Sequence, residues 1–72
     1  MLLIKHQKKH PNQKAWVMAH TYFPLETPEH NCNWRSEVNE LVREYARHAP
    51  AEFVWLTGQY AGQVVFSGVY TD

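Results

Sequence analysis

One cysteine, three glycines and no long apolar run set the first limits on this chain. Cys32 has no second cysteine to meet, so no intrachain disulfide can staple the fold. A lone thiol also fits a reducing compartment. The glycines are Gly58, Gly62 and Gly68, and neither a GxGxxG turn nor a Walker loop can be drawn through them, which excludes the common phosphate-cradling loops. No stretch approaches the roughly 18–20 apolar residues of a membrane-spanning helix. The opening "MLLIKHQKKH" places its charge after a short apolar run, the reverse of a secretory signal. These absences predict a soluble, cytoplasmic protein with no membrane partner.

Acid is missing from residues 1–25, which carry Lys5, Lys8, Lys9 and Lys14. All seven acids lie in residues 26–72, against Arg35, Arg43 and Arg47. The formal net charge of zero therefore conceals a basic first third and an acidic remainder. Overall neutrality removes the long-range pull on which most nucleic-acid binders rely. It leaves local attraction, including that of one molecule's basic end for the acidic part of its neighbour. The 72 residues make one domain. A chain of this size buries only about 60% of its unfolded surface, so its stability is marginal without help.

Periodicity supplies the elements. "LLIKHQ" (Leu2–Gln7) and "AWVMAHTYF" (Ala15–Phe23) read as strands, the second rich in β-branched and aromatic residues. Between them "KHQKKHPNQK" holds four lysines, two histidines and no acid, with a Pro11–Asn12 turn signal at its centre. It reads as the bend of a hairpin with lysines at its tip and flanks. "PLETPEHN" reads as a loop. Trp34, Val38, Leu41, Val42 and Tyr45 then fall on one face of a helix expected over Trp34–His48. Asn31 or Asn33 can cap its start, and Pro50 stops it. Ala51–Thr57 and Gln63–Tyr70 read as two more strands joined by a turn bounded by Gly58 and Gly62. The order is β-β-α-β-β, a small α+β domain with one helix on an antiparallel sheet.

The strands are apolar on both faces, whereas one helix covers only one. Trp16, Met18, Tyr22, Phe53, Trp55, Phe66 and Tyr70 are expected to share the uncovered face. Bare, they would exceed the apolar patch that monomers tolerate. A homodimer that covers this face, or a sheet that curls on itself, would resolve the excess.

Chemistry is sparse. His6, His10, His20, His30 and Cys32 could in principle supply a tetrahedral metal site, but they lack paired ligand spacing and read as solvated residues; no metal and no cofactor is expected. Cys32 beside His30 invites a nucleophile reading, yet no orienting group or oxyanion feature accompanies them. Cys32 is read instead as a small residue packed under the helix. Glu37, Glu40 and Glu44 form a solvated helical face, partly compensated by Arg43 and Arg47. What remains is a non-enzymatic protein-binding module, of an adaptor or inhibitor type common among phage and plasmid accessory proteins. Its expected contact residues are Lys5, Lys8, Lys9, Lys14, Trp16, Tyr22 and Trp55. The alternative is a small DNA- or RNA-binding protein that uses the Lys5–Lys14 hairpin, with lysines on phosphates and Trp16 or Tyr22 stacked on bases.

Overall fold

The computed structural model describes residues 1–9 and 15–70. Its elements are β1 (Leu2–Lys9), β2 (Trp16–Phe23), α1 (Trp34–Tyr45), β3 (Ala51–Trp55) and β4 (Val64–Gly68). The α+β order expected from periodicity is the order observed. The strands form one antiparallel sheet, β2-β1-β3-β4. β2 and β3 both run antiparallel to β1 and so parallel to each other. Parallel strands need a crossover, and α1 lies in that crossover. The Pro11–Asn12 bend and Lys14 fall outside the described residues.

The core lies between α1 and one face of the sheet. Leu2, Ile4 and Phe53 are fully buried at its centre, with Trp55, Val38, Leu41, Val42 and Ala46 around them. Trp34 and Tyr45 pack against this cluster only partly buried. Trp34 meets Trp55 edge-on at 6.1 Å, and Phe53 meets Phe66 edge-on at 5.9 Å, geometries that aromatic quadrupoles favour. Leu25, in the loop after β2, also joins the core. A short backbone bond from Leu25 N–H to Phe23 O, 2.8 Å, turns the chain there.

α1 ends at Tyr45, three residues short of the expected His48. The residue before Pro50 is pushed out of helical conformation, and the chain needs room to turn into β3. The Ala46 carbonyl also accepts the Tyr70 N–H at 2.8 Å, which ties the segment after β4 to the helix end. At the other end Asn33 occupies the N-cap without a side-chain bond. Asn31 holds the turn instead, accepting from Asn33 N–H at 3.1 Å and donating to Glu37 at 2.5 Å. Gly58 and Gly62 bound the β3–β4 turn at φ +82° and +89°, conformations open to glycine at little cost.

The face assignment from sequence requires correction. Trp16, Met18 and Tyr22 lie on the open face, but Phe53, Trp55 and Phe66 lie beneath the helix. Register decides this: Tyr22 and Val54 both pair with Leu3, while Phe53 pairs with Ile4. A bulge at Phe53/Val54 then puts Val64 beside Val54 and leaves Phe66 beside Phe53. Tyr70 lies beyond β4, beside the helix end, with the Arg43 guanidinium 5.8 Å from its ring centre. The sheet does not curl closed, because β2 and β4 are its two separate edges.

Candidate functional site

The open face is built in rows. One row runs Tyr22, Leu3, Val54, Val64 and is apolar. The next runs His20, Lys5, Glu52, Ser67 and is polar, with Lys5 Nζ 3.5 Å from a Glu52 carboxylate oxygen. Both partners are substantially exposed, so this pair contributes at most about 1 kcal/mol. Beyond it β1 outruns β3, whose pairing with β1 ends at Lys5. Met18 faces Gln7 and Trp16 faces Lys9 on a ribbon of only two strands.

β2 carries three of the most exposed large apolar side chains among the described residues, Trp16 and Met18 on the ribbon and Tyr22 in the four-stranded part of the sheet. Met18 is 62% exposed, Tyr22 61% and Trp16 49%. Lys8 and Lys9 are exposed beside them. Lys8 pairs with Val17 on the helix-facing side and Lys9 with Trp16 on the open side, so the two lysines flank the ribbon. Of the residues expected to bind a partner, Lys5, Lys8, Lys9, Trp16 and Tyr22 therefore belong to one connected region. Trp55 does not: it is 3% exposed in the core. Lys14 lies outside the described residues. Met18 belongs to the site by position, and the alternation of β2 had already placed it beside Trp16 and Tyr22.

The described histidines are dispersed, and His10 lies outside the described residues. His6 points under the helix, its Nε2 2.7 Å from Thr21 Oγ1 and its ring 4.8 Å from that of Tyr45. Burial, followed by the charges of Lys8 and His20, lowers its pKa from the usual value, and a hydrogen bond to the Gln7 backbone pulls the other way. His20 is exposed on the open face and His30 lies exposed in the loop. Among the described residues no three of His, Cys, Asp and Glu converge to hold a metal ion. Cys32 is exposed just ahead of the helix, not packed under it as its size and position suggested. Glu29 accepts the Gln59 N–H at 2.8 Å, which lowers its pKa and joins the loop before α1 to the β3–β4 turn.

A concavity of about 380 Å³ opens at the other end of the sheet between Trp34, Arg35, Trp55 and Tyr60. Among the described residues Arg35 is the only charged one in its lining, and its guanidinium lies 5.3 Å from the Trp34 ring centre. No helix among the described residues is long and apolar enough to cross a membrane. Comparison with known proteins finds no family model, no curated protein and no solved structure that matches the chain.

Proposed function

We propose that this chain is a non-enzymatic protein-binding module, of adaptor or inhibitor type, whose contact surface is the projecting β1–β2 ribbon. The observation that carries this reading is the exposure of Trp16, Met18 and Tyr22 together on one strand, flanked by Lys8 and Lys9. Tryptophan and tyrosine anchor interfaces because they bury much area at little entropic cost, and methionine adapts to irregular surfaces. The lysines at the rim speed encounter with an acidic partner.

A second reading has one specific observation in its favour. Lys9 faces Trp16 across the ribbon, which sets a cation beside a ring suited to stacking on a base. Against it, Lys5 is already engaged by Glu52 and the net charge is zero. Chromatography on heparin and single-stranded DNA separates the two readings. A protein-binding module elutes at low salt and keeps its protein partner as salt rises. Tight retention that falls steeply with salt would transfer the function to nucleic acid.

A further inference from the structure

We infer that the outer edge of β2 is itself an interface, and that its occupant is β2 of a second copy, paired antiparallel about a two-fold axis normal to the sheet. This rests on the protein-binding reading and deepens it by naming a partner. It differs from a face-to-face dimer, for which four of the seven expected residues are not on the open face.

The two edges of the sheet are built differently. β4 has five residues, is reached across a bulge, and ends at Gly68 with φ +124°. Short strands and bulges are how sheets discourage edge pairing, as are charged residues and proline. β2 uses none of these. It has eight residues in unbroken register with β1, and "WVMAHTYF" contains no proline, lysine, arginine or acid. Every second residue of β2 turns its N–H and C=O away from β1, and among the described residues no strand meets them. Such an edge calls for another strand, and a second β2 supplies both the backbone groups and the apolar side chains.

Charge selects the orientation. β2 starts beside Lys8 and Lys9 and leads out to Glu26, all three exposed. Antiparallel pairing lays the basic entrance of each strand along the acidic exit of the other, twice over. Parallel pairing would set like against like. A two-fold axis makes one residue face its own copy. With the axis at Ala19, Trp16 meets Tyr22 and Met18 meets His20. With the axis at His20, Met18 meets Tyr22. Either arrangement joins two sheets into one of eight strands and sets exposed side chains of the two β2 strands side by side across the seam.

A cysteine scan tests the arrangement. In a Cys32→Ser background, each residue of β2 is replaced singly by cysteine and the oxidised protein is run on a non-reducing gel. At the axis the paired Cα atoms lie about 4.5–5.5 Å apart, inside the disulfide range. One residue away they are displaced by two strand rises, roughly 8 Å in all, outside it. The expected result is one sharp maximum, at Ala19→Cys or His20→Cys. Equal crosslinking at Trp16→Cys, Met18→Cys and Tyr22→Cys would mean face-to-face packing and overturn the inference. Because some of these positions are half-buried, a second measurement avoids them. Sedimentation of Met18→Lys with Tyr22→Lys, both highly exposed, should show dimerisation weakened by about tenfold or more, with the thermal midpoint unchanged at dilutions where both proteins are monomeric. An unweakened dimer, or wild type that stays at its 8.5 kDa chain mass into the high micromolar range, sinks the proposal. A monomeric wild type that still binds a different protein, and loses it on Trp16→Ala, overturns self-pairing alone and leaves the binding-module reading standing.

Discussion

His6 shows how one residue couples the ribbon to the core. Thr21 and Tyr45 touch it from β2 and α1, Lys8 and His20 add positive charge from the sheet, and Glu44 and His48 border the same cavity. Its pKa is lowered, so below about pH 6.5 the unfolded chain binds the proton more readily than the folded one. The stabilisation is complete above that value and is lost as pH falls through the lower, folded value. Denaturant midpoints should therefore fall on acidification from neutral pH, and His6→Gln should flatten that slope; equal slopes in both proteins would remove His6 from the account. Single residues were the least legible level of the sequence. Trp16 and Trp55 are alike in composition and strand context, yet one is half exposed and the other is in the core. The difference comes from inter-strand register, which no local pattern encodes. The exposure of Cys32 was hidden for a similar reason, since a position ahead of a helix does not say which way the side chain turns.

At the scale of elements, α1 was the most legible, because its apolar spacing has one physical solution. Val38, Leu41 and Val42 are buried as that spacing requires. Leu41→Ala should cost about 2–5 kcal/mol in urea unfolding, and a loss under about 0.5 kcal/mol would mean that the packed face is misassigned. The helix end was less legible, since Ala46 is held by Tyr70 from the far end of the chain. The β3–β4 turn was read correctly at both glycines, but its tie to Glu29 was not visible. A Cβ at Gly58 would lie 2.9–3.0 Å from the Glu29 carboxylate and 3.0 Å from Thr27 Cγ2, in a backbone conformation that disfavours side chains. Gly58→Ala should thus destabilise by more than about 1 kcal/mol, whereas a neutral result would show that the turn relaxes freely. The bulge opposite β3 left no sequence signal, and it moved Val64 to the open face.

For the whole molecule, the separation of charge along the chain is only partly kept in space, since Lys5 pairs with Glu52 and Glu44 borders the same cavity as Lys8. The ribbon carries Lys8 and Lys9, and acids begin where β2 leaves the sheet. Lys8→Glu with Lys9→Glu should preserve the fold and slow association with any acidic partner, the second copy included, with a smaller change in dissociation. Unchanged association kinetics would reduce the basic stretch to a solvated bend. The central claim is that β2 is the working edge of the sheet, and hydrogen exchange along β2 as a function of protein concentration tests it most directly. Inward-facing β2 amides are already bonded to β1 and should be protected at every concentration. Outward-facing amides should exchange freely when dilute and slow progressively as concentration rises through the micromolar range. Fast exchange of the outward amides at all concentrations, with β1 and the inward set still protected, would contradict the account.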